Sequence, residues 1–163
     1  MTSFEGDTGP YLQYAHARLC SIMRKADIPA SELRSADLSL LTEHHATELV
    51  RFLAQFPDVV FNSSKTLEPT TILTYLFRMT HVLSSSYDVL NVVRSEPEVK
   101  KARMALYDSA RQVLWNGMRL LGLSPVERCV ASHFTCVGRL SFNRNFANIS
   151  MPSLGCESHD VLQ

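Results

Sequence analysis

From Gly9 onward, apolar residues recur at the three- and four-residue intervals of an α-helix, and the spacing holds almost unbroken to residue 128. Leu12, Ala15, Leu19, Ile22, Met23 and Ala26 form the first stripe and predict a helix over 9–26. Thr8 is placed to cap it, and Pro10 suits the first turn, where its missing N–H is not needed. Ile28-Pro29 ends this helix, and a loop with Ser31, Ser35 and Asp37 follows. Thr42 is the expected cap of a second helix over 43–56, with Leu49, Val50, Leu53 and Phe56 inward. Pro57-Asp58 punctuates the chain, so 59–67 reads as a separate short helix. Pro69 opens a long helix to about Val93 with Ile72, Leu76, Met79, Leu83 and Leu90 in its core stripe. Glu96-Pro97-Glu98 begins the last, acids being favourable at a helix N-terminus. Its stripe is Val99, Ala102, Leu106, Ala110, Val113, Leu114, Leu120 and Leu121, and Gly122 and Pro125 stop it. No run alternates as a strand would. The expected fold is an all-α helical bundle.

Beyond residue 128 the pattern changes to Ser, Asn, Phe and Cys without a period. Residues 129–163 are therefore expected to stand apart from the bundle as a disordered tail, since ordering them costs about 1–2 kcal/mol per residue with no apolar face to offset it. The length of 163 residues suits one domain, and 45% apolar against 20% charged residues suits a packed core. Sixteen basic residues balance sixteen acidic ones, which excludes attachment to nucleic acid by bulk charge and confines any RNA binding to a local patch. Met1-Thr2-Ser3-Phe4-Glu5 has neither the basic nor the apolar stretch of a secretory signal, and the longest uncharged run, 145–156, is too short and polar to span a membrane. A cytoplasmic protein is expected, with Cys20, Cys129, Cys136 and Cys156 as free thiols.

Several short patterns suggest chemistry and fall short of it. Asp7-Thr8-Gly9 spells an aspartic-protease triplet, but that reaction needs two carboxylates held together on strands, and here the triplet leads into Pro10 and a helix. His44 and His45 are adjacent, about 100° apart on a helix, whereas a chelating pair wants i,i+4 spacing. His133-x2-Cys136 and Cys156-x2-His159 have the outline of a zinc site without its turn glycines, so no metal is expected. The chain has no phosphate loop, dinucleotide fingerprint or activated nucleophile. On these residues alone it is a helical interaction domain.

Tyr11, Tyr14 and Arg18 sit at i, i+3 and i+7, on a face about 100° round the first helix from the Leu12/Leu19 stripe. An aromatic and cationic face off the core suits stacking on unpaired bases, with the guanidinium on phosphate or a base edge. Packing of both tyrosines against a neighbouring domain fits the same spacing.

Longer strings carry a family resemblance: FEGDTGPYLQYAHAR at 4–18, EPTTILTYLFR at 68–78, LSSSYDVL at 83–90, ALYDSARQVL at 105–114 and NGMRLLGLSPVER at 116–128. In this order, and over residues 1–128, the chain resembles the C-terminal part of eukaryotic arginyl-tRNA synthetases, those of fungal type above all. The resemblance implies the helical anticodon-binding fold called DALR over 9–128, with 1–8 a remnant of the junction to a catalytic domain and 129–163 an aberrant extension. It implies that Tyr11 and Tyr14 face the anticodon loop, that Arg18 stands beside them, and that Tyr87 helps to form a pocket for an anticodon base. At the edge of its own core stripe, Tyr87 fits a packing role equally well.

The implied partners are tRNA(Arg) and the catalytic domain of a parent arginine–tRNA ligase, with no DNA or membrane partner and a monomeric state. The catalytic signatures of the family are absent from these residues, so the chain by itself is expected to be inactive and to carry no cofactor, ATP with magnesium belonging to the parent. The start at Met1-Thr2-Ser3 resembles an internal stretch of the longer enzyme, which suggests a fragment, and the parent could serve cytosol or mitochondrion. The alternative function is a free-standing helical module that inherited the fold and binds protein.

Overall fold

The computed structural model describes residues 8–90, 92 and 95–128, and these form helices with no strand among them. The elements are α1 (Gly9–Ala26), α2 (Ala30–Arg34), a 3-10 turn at Leu38–Leu40, α3 (His44–Thr66), α4 (Thr70–Val89) and α5 (Pro97–Leu120). The all-α bundle expected from the sequence is what the described residues form. α5 is its axis and touches every other helix, whereas α1 packs on α4 and α5 and makes no contact with α3.

This centrality follows from composition. α5 buries Ala102, Met104, Leu106, Tyr107, Ala110, Leu114, Gly117 and Met118, which occupy more than one face. Gly117 is a close-approach residue: a Cβ there would stand 2.6 Å from Leu76 Cδ2 of α4. The helix stops as its sequence predicts. Gly122 takes a φ of +75°, its N–H donates to the Arg119 carbonyl, and the Leu123 N–H donates to that of Met118. That is the paired closure of a Schellman end.

The predicted stripes of α1 and α4 face the core, with Leu12, Leu19, Leu76, Met79 and Leu83 inaccessible to solvent. Other expectations need correction. Residues 44–66 form one helix rather than two, with Pro57 inside it. Proline removes the bond to the Leu53 carbonyl and costs about 3 kcal/mol in a helix interior. The seam of buried Leu49 and partly buried Phe52, Leu53, Phe56 and Val59 runs through that turn without interruption. The summed burial of these side chains, each worth a part of the full-burial value of about 1.5–3 kcal/mol, offsets the defect. The Tyr75 hydroxyl also ties α4 to this turn, donating to the Phe52 carbonyl at 2.7 Å. Val50, expected inward, is exposed, as is Leu120.

Residues 30–34 are helical where a loop is expected, because the single buried Leu33 docks the segment on α5 and one apolar residue makes no period. α4 ends at Val89 rather than Val93: Leu90 and Val92 are both buried, and residues two apart lie about 200° apart on a helix, so one face cannot bury both. Neither expected threonine cap forms. The Thr8 side chain makes no capping bond, and Glu43, not Thr42, is the N-cap of α3, with its carboxylate turned to Arg103. The zinc-like pattern and the tail expectation fall on 129–163, and the junction remnant on 1–8, all but Thr8 outside the described residues.

Candidate nucleic-acid interface

Two of the residues singled out on α1, Tyr11 and Arg18, meet the C-terminal half of α4. Arg18 places its guanidinium carbon 4.4 Å from the centre of the Tyr87 ring. Behind Tyr87, the buried ring of Tyr107 on α5 lies 5.5 Å away and inclined at 44°. Tyr107 is itself anchored, its hydroxyl 3.4 Å from the carbonyls of Ser86 and Leu90 at the end of α4. α1 thus supplies the cation, α4 the ring, and α5 the support.

Tyr87 is half-buried as a residue, but its hydroxyl oxygen is sealed from solvent and has no hydrogen-bond partner. Burial drives its pKa well above the usual phenol range, Arg18 opposes this, and the phenols of Tyr107, Tyr14 and Tyr11 add to it. Burial likewise raises Tyr107, against a hydrogen bond to Ser86 and the charges of Arg103 and Arg18. Both remain neutral donors at physiological pH. An unsatisfied buried hydroxyl costs about 1–3 kcal/mol.

Tyr11 and Tyr14 share a helix face but differ in environment. Tyr11 is half-buried, its hydroxyl 3.2 Å from Ser84 Oγ and its ring 5.6 Å from the His81 ring. It bridges α1 to α4 and packs against the core. Tyr14 is 43% exposed, the more open of the two. The site therefore presents one open aromatic ring, one cation lying on a second ring, and one tyrosine engaged in helix packing. An unpaired base could stack on Tyr14, and Arg18 would stand beside it.

Sequence spacing gave no warning of Ser84, His81 and Tyr107, nor of the chain after α5. Residues 123–128 turn back along α1 as a strap. The Gln13 amide donates from Nε2 to the Ser124 carbonyl at 2.9 Å and accepts at Oε1 from the Val126 N–H at 2.9 Å. His16, buried, lies with Nδ1 2.8 Å from the Val126 carbonyl; that oxygen only accepts, so Nδ1 carries the proton. Arg24 reaches the Glu127 carbonyl at 3.3 and 3.4 Å. His44 and His45 meet edge to face at 5.8 Å, away from this site on α3.

Residues 12–129 match the family described as DALR anticodon binding domain. The chain belongs to this family. As a DALR domain it is 60% identical over 129 residues to the cytoplasmic arginine–tRNA ligase of Saccharomyces cerevisiae, covering 78% of this chain and 21% of that protein. It is 50% identical over 129 residues to the mitochondrial arginine–tRNA ligase of the same yeast, covering 78% of this chain and 20% of that protein. Among solved structures it superposes on the Thermus thermophilus arginyl-tRNA synthetase with a TM-score of 0.71 and 30% identity, over 78% of this chain and 22% of that one. The DALR domain described here thus spans about a fifth of the length of the relatives it matches. No helix among its described residues is long and apolar enough to cross a membrane.

Proposed function

We propose that this chain recognises the anticodon arm of tRNA(Arg) for an arginine–tRNA ligase. The carrying observation is the open Tyr14 ring beside the Arg18–Tyr87 pair, on one face of a DALR domain. Tyr14 stacks on an unpaired base, and Arg18 contacts phosphate or a base edge. Tyr87 gives its buried, unpartnered hydroxyl a partner when Arg18 moves aside for a base. Tyr11 holds α1 against α4, so that these groups keep their separation. The bundle acts by positioning: it fixes the anticodon so that the acceptor end reaches a remote catalytic domain.

On this reading ATP and magnesium act in that catalytic domain, and the chain by itself neither activates arginine nor requires a metal. The partners are tRNA(Arg) and the catalytic domain, the chain is a monomer, and the compartment is the cytosol. The mitochondrial relative keeps the second compartment in view.

The test is equilibrium binding of the 163-residue chain to tRNA(Arg) and to a tRNA of another specificity, with and without Tyr14→Ala. Preference for tRNA(Arg), weakened by about 1–3 kcal/mol in the variant, supports the reading. Equal affinity for the two tRNAs refutes it. Arginine-dependent ATP–pyrophosphate exchange should stay at background with tRNA present.

A further inference from the structure

The strap after α5 is joined to α1 by side chains more than a hundred residues away in sequence. One of them, Gln13, engages the strap with both ends of its amide, at 2.9 Å to Ser124 and 2.9 Å to Val126. The arrangement imitates one rung of a β-ladder: a planar amide satisfies one carbonyl and one N–H of an extended segment. His16 fixes the other carbonyl of the same segment from one turn along α1. These bonds hold backbone groups, so they set the path of the strap whatever side chains it carries.

That path has a direction relative to Tyr14. Ala17 follows Gln13 by four residues and Tyr14 by three, so it neighbours both on the helix surface. It lies about 140° round the helix from Leu12, well away from the core stripe. It is nevertheless buried at 6% exposure, while Tyr14 beside it stands at 43%. The face that carries Gln13, His16 and Arg24 is the one the strap covers. Ala17 thus lies at the boundary between the face the strap covers and the face that carries Tyr14. Tyr87 of α4 flanks this face on the Arg18 side, and the strap runs along α1 on the Gln13 side.

The geometry points to Gln13 as a positioning residue for RNA, with His16 as its support: by clasping the strap it builds the second wall of the Tyr14 site. This rests on the tRNA reading given above. Gln13 need not touch RNA. Its amide is spent on Ser124 and Val126, and its effect passes through the strap to the nucleotide that stacks on Tyr14.

Gln13→Met keeps the length and bulk of the side chain and removes both bonds. In the full chain, hydrogen exchange at the Val126 amide should then quicken about tenfold, as expected when hydrogen bonds of ordinary strength are lost. Affinity for an anticodon stem-loop of tRNA(Arg) should fall by about the same factor, mainly through faster dissociation, with little change in the thermal midpoint. A purely structural role would move stability instead, so a two-variant cycle is included. If Gln13 acts by walling the Tyr14 site, Gln13→Met and Tyr14→Ala must fall short of multiplying when combined. His16→Gln, also reporting on the Val126 carbonyl, should reproduce the exchange and binding effects on a different residue.

Fast exchange at Val126 with wild-type RNA affinity would overturn the proposal. So would losses that multiply in the double variant, or unchanged exchange in Gln13→Met. Failure of the wild-type chain to prefer tRNA(Arg) would overturn the tRNA reading itself, and the two failures are distinguished by that first measurement.

Discussion

Arg18 lies over Tyr87, its guanidinium carbon 4.4 Å from the ring centre, and the Tyr87 hydroxyl is shut away from water with nothing to bond. A cation over a tyrosine face contributes about 0.5–2 kcal/mol. The stranded hydroxyl costs a similar amount in the other direction. One contact thus favours this arrangement, and one buried group opposes it.

Tyr87→Phe separates these terms. Without RNA the variant loses only an unsatisfied hydroxyl, so thermal unfolding should show equal or greater stability, by up to about 1–3 kcal/mol. Its affinity for tRNA(Arg) should fall, because the hydroxyl finds its partner only in the complex. A drop in both stability and affinity would mean that the hydroxyl already serves the folded chain.

The two tyrosines of α1 should part company. Tyr14→Ala is expected to weaken RNA binding by about 1–3 kcal/mol and leave the melting temperature almost unmoved. Tyr11→Ala should lower the melting temperature as well, since it removes the Ser84 bond and the contact with His81. Equal melting temperatures for the two variants would contradict this division.

Gly117→Ala tests the approach of α5 to α4. The new methyl would meet Leu76 Cδ2 at 2.6 Å inside a packed core, and Leu76 has no exposed surface into which to move. Overpacking of this kind costs about 1–3 kcal/mol in chemical denaturation. A variant as stable as wild type would show that α4 gives way freely.

The pH dependence has a definite sign at Glu43. A hydrogen bond from the Arg103 side chain holds the Glu43 carboxyl below its ordinary value of 4.5, with burial opposing in part. A depressed carboxylate contributes stability that is complete above its unfolded value and is lost as pH falls through its folded one. Glu43→Gln should therefore be less stable than wild type at neutral pH, and the gap should close as pH drops below about 4.5. A gap that widens on acidification would reverse the assignment.

Much of this fold was legible. Leu12, Leu19, Leu76, Met79 and Leu83 face inward as their spacing requires, and Gly122 ends α5 as a glycine after a helix should. The failures share a cause: local signals were overruled by tertiary packing. Pro57 reads as a break, yet the apolar seam on both sides of it is continuous against α4. Leu33 is one residue, too few to make a period, yet enough to dock a turn of helix on α5. Spacing put Tyr11 and Tyr14 on one face but carried no information on how close α4 approaches that face. The strap was invisible for a different reason. Gln13, His16 and Arg24 bond backbone carbonyls and an N–H, which every sequence possesses and none advertises.

The most direct test of the central claim is competition binding of the 163-residue chain to an anticodon stem-loop of tRNA(Arg) against the same stem-loop with its anticodon bases replaced. Stem and phosphates are then common to both, and only base contacts can separate them. The account predicts that the arginine anticodon binds more tightly, by about 1–3 kcal/mol, and that Tyr14→Ala removes most of the difference. Equal affinities in wild type, or a preference untouched by Tyr14→Ala, would contradict it.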